Sequence, residues 1–138
     1  MAHSKFRAEV LTPEGEVFND EVEMVSTRTA VGSIGILANH EPVLAMLDPT
    51  ELRLYKTESE VVRFAQAEGY LQMADNHALI LVEEATAPGD LDVGNLRERL
   101  QQAEHELDSA GEDTEKRRVA ERDRARLQKF LNIAEGSA

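Results

Sequence analysis

Four histidines, His3, His40, His77 and His105, are the side chains of this 138-residue sequence best suited to moving protons near neutral pH. They lie far apart, and none stands in an HxH or HxxxH spacing that would put two imidazoles on one metal ion. The stretch from Val31 to Leu47, VGSIGILANHEPVLAML, holds the strongest local suggestion of chemistry, with Ser33 as nucleophile and His40 as its base. Nothing in the sequence marks an acid to orient His40 or donors to hold an oxyanion. Gly32 and Gly35 bracket Ser33 as glycines of a phosphate loop would, yet the GxxxxGK spacing and a following helix are both missing. Turns or bulges are the simpler duty for these glycines, and a corner beside Pro42 is the simpler duty for His40. The chain has no cysteine, which excludes disulfides, thiol nucleophiles and thiolate zinc sites. These observations predict no catalytic residue, no metal and no cofactor.

The elements that carry these residues change character once along the chain. Up to about Ala87 the apolar segments are short: VEMVST, IGIL, VLAML, ELRLY, VVRFA, YLQMA and ALILV, separated by turn-forming breaks such as VGS, NHEP, DPT and DNH. Phe6, Ala8 and Val10 alternate with Arg7 and Glu9 ahead of the turn TPEGE, which is the period of a half-buried strand. Beyond TAPGD the period lengthens. Leu96, Leu100, Ala103 and Leu107 recur on one helical face; Gly111 then interrupts, and Asp113 or Thr114 can cap a second helix. In that helix Ala120, Leu127, Leu131 and Ala134 form one stripe, with Val119, Phe130 and Ile133 beside it. The expected fold is α+β: a β-sandwich of short antiparallel strands over residues 1–87, then an antiparallel two-helix hairpin over residues 88–138.

Charge restricts the partners. A net charge of -12 repels phosphate backbones, so nucleic acid is not expected. No apolar run approaches the roughly 20 residues of a membrane-spanning helix. The opening MAHSKFRAEV lacks an apolar signal core, so neither export nor direct membrane insertion is expected. Within the hairpin the signs separate. Lys116, Arg117, Arg118, Arg122, Arg124, Arg126 and Lys129 face only Glu121 and Asp123 in the second helix, whereas the first helix and the loop are strongly acidic. Such a surplus serves either as a solvated face paired with its acidic neighbour or as a docking surface for an acidic protein.

The residues themselves carry a family likeness over almost the whole chain. GSIGILANHEPVLAMLDP resembles the G-x-x-G-I-x-x-x-H-x-P-L-L run, followed by a turn, of the epsilon subunits of F-type ATP synthases. FRAEVLTPEGEVF, EVEMVSTRTAVG, AEGYLQMADNHALILVEEA and the DLD that opens the helical part are similar to the same family. The resemblance implies a non-catalytic subunit of the central rotor stalk, with the catalytic sites on other subunits. Its sandwich is expected to bind the gamma subunit and rest on the ring of c subunits, and so to couple ion-driven rotation to ATP synthesis. Its hairpin is expected to extend along gamma and inhibit ATP hydrolysis, with the basic helix, through Arg118, Arg122 and Arg126, meeting an acidic segment of the beta subunit in the alpha-beta hexamer. The implied location is peripheral, at the cytoplasmic face of a bacterial cell membrane. A stand-alone acidic β-sandwich binding module and a small hydrolase using Ser33 and His40 are the competing readings.

Two places depart from the family pattern. The loop from Arg28 to Ile34 is expected to meet the c ring through Thr29, Val31, Ser33 and Ile34, but it lacks the acid common around Ser33. Many bacterial relatives bind ATP through an I/L-D-x-x-R-A motif at the start of the first helix. Here the residues are Leu91, Asp92, Val93, Gly94, Asn95 and Leu96, which keeps the acid but replaces the arginine with Asn95, a side chain without the guanidinium charge. The resemblance therefore implies a degenerate nucleotide motif and ATP binding that is weak or absent.

Overall fold

The computed structural model describes residues 3–136, and the chain divides into two compact units, Met1–Ala87 and Pro88–Ala138. The first is built from β1 (Phe6–Thr12), β2 (Gly15–Val22), β3 (Met24–Thr29), β4 (Gly32–Leu37), β5 (Val43–Leu47), β6 (Thr50–Tyr55), β7 (Val61–Gln66), β8 (Gly69–Ala74), β9 (His77–Val82) and β10 (Ala85–Thr86). The strands hydrogen-bond in the order β10-β7-β6-β3-β5-β8-β9-β1-β2, with β4 on the remaining side of β3. Thr29 opposite Leu47 is the one paired position between β3 and β5, so the ladder reads as two five-stranded halves hinged at that point. Inward residues from both halves meet in one core, including Phe6, Val10, Leu71, Met73 and Ile80 from one and Val25, Ile36, Leu52 and Leu54 from the other.

Alternation sets this core. On β1 the buried residues are Phe6, Ala8 and Val10, and on β9 they are Ala78, Ile80 and Val82; their neighbours along each strand face outward. One pairing corrects the expectation of antiparallel strands: β1 and β9 run parallel, with Ala8 opposite Ala78 and Val10 opposite Ile80. No hairpin joins strands so far apart in sequence, so no tight turn dictates their relative direction. The tight turns carry their own signatures. Asp75 and Asn76 both adopt positive φ (50° and 58°) between β8 and β9, the geometry of a two-residue hairpin loop that twists with its strands. Gly69 is required for a different reason: an added Cβ would lie 2.0 Å from the Leu81 carbonyl oxygen on the neighbouring strand.

The second unit begins with a single 3-10 turn (Pro88–Asp90), followed by α1 (Val93–Ser109) and α2 (Thr114–Ala134). Asp113 caps α2 by accepting the Lys116 backbone N–H at 3.0 Å. Gly111 takes a φ of 57° in the connection between the helices. The buried set is Leu96, Leu100 and Ala103 on α1 and Ala120, Leu127, Phe130, Leu131 and Ile133 on α2. It is shifted from the expected stripe: Phe130 and Ile133, placed beside it in sequence, are buried, whereas Leu107 and Ala134 are only partly covered. Two residues turn a helix by about 200°, so Leu131 and Ile133 stand on different sides of α2, and its buried residues cover a far wider arc than a single i, i+4 line.

Candidate functional site

Among the described residues no hydrogen bond joins Ser33 to His40. Ser33 is exposed on β4 opposite Arg28, and the His40 ring hydrogen-bonds through Nδ1 to the Glu41 carbonyl oxygen at 2.7 Å. The corner they flank is pinned by Asn39, whose backbone N–H donates to the Asn76 side chain at 2.7 Å. Among the described residues no group of three or more His, Asp or Glu side chains is placed to hold a metal ion.

The loop expected to meet a partner is the β3–β4 hairpin. Thr29 Oγ1 donates to the Gly32 carbonyl oxygen at 3.1 Å and accepts the Val31 backbone N–H at 3.3 Å, which fixes the tip with its own side chain. Val31 is 99% exposed at that tip, Ser33 is exposed, and Ile34 is partly buried against the core. A fully exposed valine held on a rigid hairpin is an apolar point offered to solvent.

A larger apolar surface has no counterpart in the sequence reading. Leu44 (71% exposed) and Met46 (67%) project from β5, Tyr70 (50%) from β8 and Leu81 (45%) from β9. Met46 stands opposite Tyr70, Tyr70 opposite Leu81, and Leu81 opposite Leu11. The intervening residues Leu47, Leu71, Ile80 and Val10 are buried, so this row lies together on the outer face of the second half-sheet. Contiguous exposed apolar surface is the kind that interfaces cover. The sequence did contain a signal: VLAML and the start of YLQMA are apolar at successive positions, which a one-faced strand does not need.

On the hairpin, Arg118 and Arg122 are engaged with acids of their own helix. Arg118 holds Glu115 through two hydrogen bonds, Nη2 to Oε1 at 2.6 Å and Nε to Oε2 at 3.1 Å. That pair lowers the Glu115 carboxyl below its ordinary range and raises the Arg118 guanidinium. Glu115 lies in the first turn of α2 and adds a third acid to Glu121 and Asp123 on that helix. Arg122 reaches Asp123 at 3.3 Å, and Arg126 lines the cleft between the helices with Arg99, Gln102, Glu106 and Asp123. Arg118, Arg122 and Arg126 follow one another at four-residue steps along one side of α2.

At the start of α1, the acid of the degenerate motif has structural work. Asp92 is the N-cap, and its Oδ1 accepts the Asn95 backbone N–H at 3.0 Å. Gly94 and Asn95 are exposed, and Arg97, the next cation along, points to Glu135, with Nη2 to Oε2 at 2.6 Å.

Comparison with known proteins agrees with this architecture. Residues 5–88 match the family described as the ATP synthase delta/epsilon chain β-sandwich domain. The ATP synthase epsilon chain of Sulfurihydrogenibium sp. (strain YO3AOP1) is 35% identical over 129 residues, covering 94% of this chain and 96% of its own. That of Priestia megaterium is 40% identical over 105 residues, covering 75% of this chain and 77% of its own. Among solved structures, a chain of the Euglena gracilis mitochondrial ATP synthase OSCP/F1/c-ring structure superposes with a TM-score of 0.75 at 20% identity, over 97% of this chain and 82% of that one. A chain of the Tetrahymena thermophila mitochondrial ATP synthase central stalk and c-ring superposes with a TM-score of 0.64 at 16% identity, over 97% of this chain and 99% of that one. The structural likenesses establish a shared fold, and the sequence relationships, the first of which runs nearly end to end, establish that the chain belongs to the epsilon chains of ATP synthase.

Proposed function

We propose that the chain is a non-catalytic subunit of the central stalk, linking rotation of the c ring through gamma to ATP synthesis and restraining ATP hydrolysis with its helical hairpin. The observation that carries the proposal is the near end-to-end relationship to ATP synthase epsilon chains. Gamma takes the outer apolar row, Leu44, Met46, Tyr70 and Leu81, because burying those side chains rewards association where leaving them wet does not. The c ring takes the β3–β4 hairpin, with Val31 as the apolar point and Thr29, Ser33 and Ile34 around it. In the inhibitory position the line Arg118, Arg122 and Arg126 meets an acidic surface of the beta subunit in the alpha-beta hexamer, and the local acids Glu115 and Asp123 hold Arg118 and Arg122 oriented until then. The subunit sits peripherally on the cytoplasmic face of the bacterial membrane and needs no cofactor.

Binding to purified gamma tests this reading. The double variant Leu44→Asp/Met46→Asp should weaken association about tenfold or more, as the loss of central apolar contacts does at interfaces. Val31→Asp should leave gamma binding unchanged and instead weaken attachment to the membrane sector. An intact chain that does not associate with gamma would favour a stand-alone binding module.

A further inference from the structure

The two ends of the helical hairpin are closed in different ways. At the loop end, Arg117 Nη2 donates to the Gly111 carbonyl oxygen at 2.7 Å, a local contact that any separation of the helices can preserve. At the open end, Arg97 of α1 reaches Glu135 beyond α2, Nη2 to Oε2 at 2.6 Å, across 38 residues of sequence. That contact exists only while the helices lie side by side.

Glu135 occupies an electrostatically poor position on its own helix. It is the C-cap of α2, where the unpaired carbonyls give the helix its negative end, and α2 has no basic residue in its last turn. An acid there is repelled by its own helix. Arg97 supplies from α1 the cation that this end lacks, through its bond to the Glu135 carboxylate. The backbone also closes the turn, with Glu135 N donating to Leu131 O at 3.0 Å and Gly136 N to Ile133 O at 3.1 Å.

We propose that Arg97 and Glu135 form a latch that favours the closed hairpin, and that releasing it both frees α2 and loosens its last turn. The functional consequence rests on the two-position reading of the hairpin given above: a weaker latch shifts the population toward the inhibitory position. Both side chains are partly exposed, 59% and 39%, so the latch acts as a bias and not as a lock.

The test uses the isolated full-length chain and then the reconstituted enzyme. Amide hydrogen exchange of residues 131–136 should speed up about twofold to fivefold in Arg97→Glu and return to the original rate in Arg97→Glu/Glu135→Arg. Glu135→Gln, which breaks the ion pair but also removes the acid from the helix end, should have a smaller effect than Arg97→Glu. In the enzyme, Arg97→Glu should deepen inhibition of hydrolysis, and the charge-swapped pair should restore it. Unchanged exchange in Arg97→Glu, or failure of the swap to restore it, overturns the latch. Exchange that responds as expected beside unaltered inhibition leaves the latch standing and counts against the two-position reading.

Discussion

The carboxylate of Asp92 accepts the backbone N–H of Asn95 at 3.0 Å and so caps α1. The one acid kept from the family's nucleotide motif is thereby committed to its own helix, and the residue it caps is the one that has lost the guanidinium. The isolated chain is expected to bind ATP weakly or not at all, and Asn95→Arg to strengthen binding. Asp92→Ala should instead cost about 1 kcal/mol of helix stability through the lost cap. Calorimetric titration with Mg-free ATP decides the matter, and micromolar binding abolished by Asp92→Ala would contradict the expectation.

Gln66 joins three segments of the sandwich from a position with no exposed surface. Its Oε1 accepts the Thr27 hydroxyl, and its Nε2 donates to the carbonyl oxygens of Asp48 at 2.8 Å and Ala67 at 2.9 Å. Gln66→Leu keeps the bulk and strands all three partners. Since each buried polar group left unpaired costs about 1–3 kcal/mol, the variant should lose roughly 3 kcal/mol or more in chemical denaturation. Thr27→Val, which removes one partner and leaves the amide bonds in place, should lose less.

Gly69 is excluded from carrying a side chain by the neighbouring strand and not by its own backbone angles. With a Cβ 2.0 Å from Leu81 O and 2.7 Å from Val82 Cα, Gly69→Ala must push β8 and β9 apart. A loss of about 3 kcal/mol is expected from such overpacking, with slipped or weakened amide protection at Tyr70 and Leu81. Full stability in that variant would show that the two strands are not held at this separation.

Asp20 and Lys56 give the sandwich a pH signature. The Asp20 carboxyl is held below its ordinary range, first by the Glu21 backbone N–H at 2.7 Å and then by Lys56 Nζ at 3.0 Å; the Lys56 ammonium is raised, chiefly by Asp20. A lowered carboxyl adds stability above its unfolded pKa and loses it as pH falls through the folded value. A raised ammonium adds stability below its unfolded pKa and loses it as pH rises through the folded value. The pair therefore favours the fold between the ordinary carboxylate and ammonium ranges, and weakens beyond both. In Lys56→Met, nuclear magnetic resonance titration should find Asp20 moved upward but still below its ordinary range, because the Glu21 bond remains.

The sandwich was legible in the sequence wherever one face is wet: the alternation through Phe6, Ala8 and Val10 fixes which side of β1 is core. Where both faces are apolar, alternation is silent, and for that reason Leu44, Met46 and Tyr70 could not be assigned to an outer surface before their strands were paired. The parallel partnership of β1 and β9 was equally hidden, since strand direction between distant segments is a property of the closed sheet. In the hairpin, capping chemistry announced Asp113. The same chemistry at Asp92 was masked because its residue type also fits a ligand motif, and only the bond to Asn95 discloses the cap.

The most direct measurement is ATP hydrolysis by the reconstituted enzyme, with gamma binding followed in parallel, for the full chain and for a chain ending before Asp90. The sandwich has its own core, so truncation should leave gamma affinity within about twofold, while hydrolysis rises. Reversing the charge of Arg118, Arg122 and Arg126 should reproduce part of that rise. Unchanged hydrolysis in both variants, or turnover of ATP by the isolated chain, would contradict the account.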